Sequence, residues 1–379
     1  MKINYLIYKN ITEDYTIEKV DFRRRLTLLV GASGVGKTQI LNALRQICQF
    51  AGNRKMTRKN AFEAELGFAT KDNKEYIWKI KTTLQDKRLE ADAEGVGIRV
   101  LEESLTYTNG DLIFARNQDG VTISGYDQVP MSKENESLIS QYRNMANMND
   151  VYWELRWMES SNLELDLLEL TPSVFFLDDV SKDKRIDMEL AEGLAERAML
   201  SPFIRFGVMK LIKLPEYAAI HDSALERFQD IFPTVQDIDY VENEMNHYGI
   251  AIKTNDHWVM QKNISSGMLK SLWHIINILT FEKDAVIMLD EFENGLGINC
   301  IDVVSNMILE ERPDIQIIMT SHHPYIINCI PMENWLITRR VGKKVQTISA
   351  QDYHLGQSKH EAYIELMNRL KQEELQEID

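Results

Sequence analysis

The stretch that most constrains this chain is Leu26-Thr-Leu-Leu-Val-Gly-Ala-Ser-Gly-Val-Gly-Lys-Thr38. A short apolar run, Leu28 to Val30, feeds a glycine-rich turn. After it apolar residues recur at helical spacing, at Ile40, Leu41, Leu44 and Ile47. The spacing predicts strand, loop and helix, with Gly31, Gly36, Lys37 and Thr38 filling the pattern G-x-x-x-x-G-K-T. Glycines let the backbone curl until successive N–H groups point inward, and the positive end of the following helix reinforces them as a cradle for a phosphate chain. The expected cradle is Gly31, Ala32, Ser33, Gly34, Val35, Gly36, Lys37, Thr38 and Gln39. Lys37 is expected to reach the β- and γ-phosphates and the Thr38 hydroxyl to ligate a metal, so ATP and Mg²⁺ are the expected ligands.

Three later stretches read as parts of the same site. Ala285-Val-Ile-Met-Leu-Asp-Glu291 is an apolar run closed by two carboxylates. A buried strand that delivers Asp290 and Glu291 at its carboxyl end is what Mg²⁺-dependent phosphoryl transfer needs, Asp290 to hold the metal and Glu291 to polarise the attacking water. By itself such a run also reads as a strand that merely ends in acidic residues; beside a phosphate loop it reads as the second half of a site. Asn263-Ile-Ser-Ser-Gly-Met-Leu-Lys-Ser-Leu272 is a Ser/Gly turn opening an apolar helix (Leu269, Leu272, Trp273, Ile276). There Ser265, with the N–H groups of Ser266 and Gly267, makes an anion-binding helix N-terminus. Finally, Ile315-Gln-Ile-Ile-Met-Thr-Ser-His-His-Pro324 is an apolar strand ending in Thr320-Ser321-His322.

Composition narrows the classes. The 379 residues, 44% of them hydrophobic, fill a sizeable core, and few prolines leave little room for disorder. With 43 basic and 58 acidic residues the formal charge is -15, which disfavours a general nucleic-acid coat because counterion release needs clustered Lys and Arg. A local basic site is still open: Gly52 to Asn60 holds four basic residues, Arg54, Lys55, Arg58 and Lys59, readable as a solvated loop or a grip on a nucleic-acid backbone, although no aromatic residues interleave to stack on bases. Cys48, Cys300 and Cys329 have no C-x-x-C spacing and suit a reducing compartment. No apolar run reaches membrane-spanning length and no signal-peptide h-region follows Met1, so a cytoplasmic location without a membrane partner is expected.

Along the chain the hydrophobic period changes. Residues 1–133 read as strands around the phosphate loop, alternating at Ile3, Tyr5 and Ile7, at Tyr15, Ile17, Val20 and Phe22, and again from Phe62 to Ser124 in an antiparallel meander. Residues 134–235 take helical spacing and read as an inserted lobe. Within it Phe175-Phe-Leu-Asp-Asp179 is an apolar segment with a polar end in preference to a metal site, and Glu159, Glu164, Asp166 and Glu169 read as a solvated helical face in preference to a surface for a basic partner. Residues 236–379 return to the nucleotide fold through Ile238–Val241 and Gly249–Lys253, and Trp335–Thr338 and Val345–Ile348 complete the sheet before a helical, charged tail.

In that order the motifs resemble the ABC superfamily of ATPases, in its SMC-like branch with RecF and the OLD family, and above all the compact AAA-type ATPase subunits of bacterial anti-phage defence systems. The resemblance implies an α/β fold: an ABC-ATPase head with a mixed β core, an antiparallel β lobe and an inserted helical lobe. It assigns His322 as the switch histidine at the γ-phosphate and Glu293-Asn-Gly-Leu-Gly297 as the D-loop. It makes Ile264-Ser-Ser-Gly-Met268 the signature, departing from L-S-G-G-Q, whose Ser265 and Gly267 reach the γ-phosphate of a second protomer. A glutamine loop is expected near Gln128 to Gln141. The D-loop lacks the S-A-L-D form, which argues against transport coupling, and no heptad run exists for a coiled-coil arm. No Toprim nuclease domain of the OLD type is expected after His322. The implied function is ATP hydrolysis in a homodimer or higher oligomer that senses for, or scaffolds, a separate effector such as a nuclease or toxin; a RecF-like DNA-binding clamp is the alternative.

Overall fold

A computed structural model of the chain describes residues 1–23, 25–53, 60–86, 96–127, 129, 132–145, 148–156, 159–161, 202–211, 213–242, 248–281 and 283–352. The chain divides into two compact units. One comprises Met1–Ser161, Asp284–Phe292 and Ile315–Asp379; the other comprises Asn162–Lys283 and Glu293–Asp314. The stretch 134–235 is thus divided between them, its first part belonging with the phosphate-loop unit.

In chain order the first unit opens with β1 (Lys2–Asn10), β2 (Tyr15–Asp21), β3 (Leu26–Val30) and the helix α1 (Lys37–Ala51). It continues with β4 (Phe62–Ala69), β5 (Glu75–Asp86), β6 (Val96–Tyr107), β7 (Leu112–Asn117) and β8 (Gly120–Ile123), then α2 (Leu138–Gln141), α3 (Asn149–Arg156) and β9 (Glu159–Ser161). The second unit holds α4 (Pro202–Leu211), α5 (Tyr217–Ile231), β10 (Val235–Glu242), β11 (Tyr248–Thr254), β12 (His257–Met260) and α6 (Ser266–Thr280). The chain returns to the first unit for β13 (Val286–Leu289) and passes through α7 (Ile298–Asn306) of the second. It then closes in the first with β14 (Gln316–Thr320), α8 (Pro324–Cys329), β15 (Trp335–Val341) and β16 (Lys344–Ser349).

The first unit is built on one sheet of 13 strands in the order β8-β7-β6-β5-β4-β1-β2-β16-β15-β3-β14-β13-β9. Its two ends obey different physics. From β8 to β2 every pairing is antiparallel, and side chains alternate: in β4, Phe62, Ala64, Leu66 and Phe68 are buried while Glu63 lies outside, opposite Lys9 on one neighbour and Lys81 on the other. From β15 to β9 the strands are parallel, and β3, β13 and β14 are buried at every residue, as central strands covered on both faces require. The helix α1 buries Ile40, Leu41, Leu44 and Ile47, each completely buried aliphatic side chain contributing about 1.5–3 kcal/mol. The Glu103 carboxylate lies in the core: it accepts from Trp78 Nε1 at 3.1 Å, from Leu138 N at 2.9 Å and from the Ser137 hydroxyl, tying α2 to the lobe, and burial raises its pKa.

In the second unit β10, β11 and β12 form a small antiparallel sheet. The helix α6 is buried along Leu269, Leu272, Ile275 and Ile276, and with them His274, whose pKa burial and the charge of Lys270 push down to about 3. This neutral histidine is a core residue.

The structure corrects one reading of the helical stretch: Glu159–Ser161 form a strand, paired in parallel with β13, where a helical face is expected. Three polar residues carry no strand pattern of their own; the backbone partner decides. The basic residues Arg54 to Lys59, the segment Phe175–Asp179, Glu164, Asp166, Glu169, Gln128 and the charged tail lie outside the described residues. No described helix is long and apolar enough to cross a membrane.

Candidate nucleotide site

The strand pairings bring the expected motifs of the first unit to one edge. Leu29 of β3 lies opposite Thr320 of β14, Met319 opposite Leu289 of β13, and Ile337 of β15 opposite Val30. The carboxyl ends of β3, β13 and β14 therefore emerge together, with β15 running on past them to Val341, and such an edge is where open α/β sheets hold their ligands. Gly31, Asp290 and Ser321 are the residues just past those ends.

The loop from Gly31 to Gly36 has the backbone that phosphate binding needs. Gly34 (φ 85°) and Gly36 (φ 107°) occupy the left-handed region, where a side chain is costly. Gly36 caps α1 without any side-chain hydrogen bond, and the first turn of α1 holds no acidic residue. Its leading N–H groups are therefore left without a side-chain cap, and the helix's own first turn places no carboxylate at its positive end. Gly31 is glycine for lack of room, since a Cβ there would collide with the Thr338 carbonyl of β15. Lys37 turns back over the loop, donating to Gly31 O at 2.8 Å and Ala32 O at 2.7 Å. Gln39 accepts from the Arg340 guanidinium of β15, so that strand walls the loop on one side.

Opposite the lysine, Thr38 Oγ1 donates to Asp290 Oδ1 at 3.2 Å. Asp290 also accepts from Thr320 Oγ1 at 2.6 Å, and the Glu291 N–H donates to that same hydroxyl at 2.8 Å. Glu291 is exposed, with φ 45°, while Phe292 beyond it is buried. At the end of β14 Ser321 is buried and His322 exposed; His323 accepts from Tyr325 N at 3.3 Å and so caps α8. Of the two adjacent histidines, His323 has this capping role and His322 sits where the solvent reaches.

Among the described residues no group of three or more His, Cys, Asp or Glu side chains gathers to hold a metal. One carboxylate and one hydroxyl, Asp290 and Thr38, suit an ion that takes its remaining ligands from phosphates and water, as Mg²⁺ does.

Ser265, Ser266 and Gly267 belong to the second unit. Ser265 caps α6, its Oγ accepting from Met268 N at 3.3 Å; Ser265 and Ser266 are exposed, and Ile264 before them is buried. The Glu293–Gly297 turn packs beside this N-terminus within the same unit, so that a Cβ on Gly267 would stand 3.6 Å from Gly295 O. The expected signature and D-loop are thus neighbours.

Two features escaped the sequence reading. Thr320 contacts both acidic residues, and only its place at the end of an apolar strand hinted at it. The strand beside β13 is β9, ending at Ser161 opposite Leu289, some twenty residues after Gln141. Gln141 itself is used locally, donating to Lys133 O at 2.8 Å and Glu136 O at 2.9 Å and accepting from Lys133 N at 2.7 Å.

Comparison with known proteins agrees with this architecture. Residues 26–328 match the AAA_21 family, described as "AAA domain, putative AbiEii toxin, Type IV TA system". No curated protein matches the chain. Among solved structures, the SMC head bound to the C-terminal winged-helix domain of ScpA is similar at a TM-score of 0.50 and 12% identity, covering 93% of this chain and 100% of that one. The Smc head with an extended coiled coil bound to the C-terminal domain of ScpA, from Pyrococcus furiosus, aligns at 0.47 and 12% identity, over 93% and 97% of the two chains. The SMC head from Thermotoga maritima aligns at 0.42 and 12%, over 92% and 99%. With its strand order, its phosphate loop and a family match spanning most of its length, the chain belongs to the AAA_21 family of AAA domains, on an ABC-ATPase head fold of the SMC type.

Proposed function

We propose that this protein binds ATP with Mg²⁺, closes as a homodimer over the nucleotide and hydrolyses it. The observation that carries the reading is the pairing of Thr38 Oγ1 with Asp290 Oδ1, 3.2 Å apart although 252 residues separate them in sequence. Chemistry follows from the side chains. The N–H groups from Gly34 to Gln39 bind the phosphates, and Lys37 exchanges the Gly31 and Ala32 carbonyls for the β- and γ-phosphate oxygens. Thr38 and Asp290 would hold the divalent ion, which when bound neutralises charge on those oxygens. Glu291 accepts a proton from the attacking water, and His322 donates a hydrogen bond to the γ-phosphate. Ser265 and Gly267 of the partner protomer complete the site, so that neither copy hydrolyses ATP alone.

A clamp of this kind has two states that another protein can read. We infer that the reader is a separate effector, a nuclease or toxin of an anti-phage defence complex; the wording of the family description supports a toxin–antitoxin setting. The SMC head to which the fold is similar carries a bound ScpA domain, which supports a partner polypeptide here too. The acidic balance of the chain favours this reading over the DNA clamp.

The test is Glu291→Gln. Turnover of ATP is expected to fall by about 10²- to 10⁴-fold, the range for loss of a general base. The variant should also accumulate as a dimer in ATP by light scattering. Wild-type turnover in the variant removes Glu291 as base, and a protein that stays monomeric in ATP removes the clamp.

A further inference from the structure

Thr320 ends β14 and is 1% exposed. Its hydroxyl donates to Asp290 Oδ1 at 2.6 Å and accepts from the Glu291 N–H at 2.8 Å, and its carbonyl accepts from the Phe292 N–H at 3.4 Å. One residue thus holds three consecutive positions of the neighbouring strand's exit. The middle one, Glu291, has φ 45°, a left-handed conformation that a residue with a Cβ adopts only where its surroundings impose it. A hydroxyl has one proton to give and lone pairs to receive with. Here the proton goes to the carboxylate and a lone pair takes the amide, so both bonds depend on the same oxygen. Two residues further on comes His322.

We propose that Thr320 is a positioning residue of the phosphoryl-transfer site. Its hydroxyl orients the Asp290 carboxylate toward the ion, holds the backbone turn that aims Glu291, and couples both to the strand that carries His322. This rests on the Mg²⁺-dependent ATPase reading above. It explains why a polar residue follows the apolar run Ile317-Ile-Met319 at the strand's end: a valine of the same shape would fill the space but leave the Glu291 amide and the Asp290 carboxylate without their shared partner.

The experiment compares Thr320→Val, Thr320→Ser and Thr320→Cys in the whole chain. It measures Mn²⁺ affinity by electron paramagnetic resonance in the presence of ADP, nucleotide affinity by calorimetry, kcat and KM for ATP, and the melting temperature. For Thr320→Val we expect kcat and Mn²⁺ affinity each to fall by about 10- to 100-fold, the cost of removing a partner that orients a metal ligand, with KM nearly unchanged. Thr320→Ser, which keeps the oxygen, should restore both. Placed in the Glu291→Gln background, Thr320→Val should slow residual turnover by no more than about twofold, because residues that act as a unit are not additive. Should Thr320→Val not fold, Thr320→Cys, a weak donor of similar volume, takes its place with the same expectations. Wild-type ion affinity and kcat in the folded Val or Cys variant overturn the proposal, as does failure of serine to rescue or a penalty that multiplies in full with Glu291→Gln. If the unsubstituted protein binds Mn²⁺ and ADP yet turns over no ATP, the ATPase reading falls and ion affinity alone judges Thr320. If it binds neither, both fall.

Discussion

At the scale of the residue, the phosphate loop uses glycine for two physical reasons. Gly34 has open space around the position of a Cβ, so its left-handed backbone alone explains it, whereas Gly31 lies outside the left-handed region and simply has no room. Gly36 combines both: φ is 107°, and a Cβ would stand 2.7 Å from Val345 Cγ2 and 3.0 Å from Gln39 Oε1. We predict that Gly36→Ala lowers stability by about 1–2 kcal/mol, the cost of a left-handed residue with a Cβ. It should also weaken ATP binding, because relief of the strain swings the first N–H groups of α1 away from the phosphates. Urea denaturation and calorimetric titration check the two effects, and a variant that binds ATP as the parent does would show that the loop tolerates the change. Ala32 and Val35 need no such argument, since their backbone and not their side chains serves the loop.

At the scale of the element, β14 does more than carry a histidine. Gln316 at its start is buried, and its side chain joins β14 to β1 and to the link between β2 and β3: Oε1 accepts from Ile3 N at 2.7 Å, and Nε2 donates to Ile3 O and Arg23 O, each at 2.8 Å. A hydrophobic replacement leaves one buried N–H without a partner and costs two carbonyls a donor. Gln316→Leu should therefore destabilise the protein by about 3 kcal/mol, on the scale of 1–3 kcal/mol for each buried group deprived of its bond. Equilibrium unfolding measures it, and a loss under about 0.5 kcal/mol, the size of an ordinary surface change, would mean water or another group takes over. The same strand ends at Thr320, so one element is anchored to β1 at its start and to Asp290 and Glu291 at its end. Very little of this was legible beforehand. Ile315 to Thr320 reads as a buried strand because it is largely apolar, but the tasks of its two polar residues depend on neighbours far along the chain, 30 positions away for Thr320 and 313 for Gln316. β9 is the stronger case: a polar Glu-Ser-Ser becomes a strand because β13 offers an unpaired edge.

At the scale of the whole molecule, the expected site residues fall in two units. Lys37, Thr38, Asp290, Glu291 and His322 lie in one, Ser265, Ser266 and Gly267 in the other. The proposed composite dimer makes a specific prediction. A protein with Ser265→Ala and one with Lys37→Ala should each be inactive. Mixed together in ATP they should regain about one working site per dimer, since the intact lysine of one then meets the intact serine of its partner, as expected where one site needs both residues. A titration of ATPase rate against mixing ratio reads this out, and a mixture no more active than its parts would exclude the shared site. The net charge of -15 sets a second expectation at this scale: closing two like-charged molecules is opposed by their repulsion, so added salt should favour the dimer unless the interface is locally basic.

What the amino-acid order settled by itself was local: a glycine-rich turn between a strand and an amphipathic helix, a capped helix N-terminus at Ser265, and apolar strands closed by Asp290-Glu291 and by Thr320-Ser321-His322. Each is legible because backbone conformation, capping and hydrophobic period act over a few neighbouring residues. Tertiary structure alone decided that β3, β14 and β13 lie side by side, that Thr38 and Asp290 share a hydrogen bond, that Thr320 grips both acidic residues, that Gln316 joins β14 to β1, and that Glu159–Ser161 is a strand. These are pairings between distant segments, and their free energy resides in the contact between them, where no single stretch of the chain can encode it.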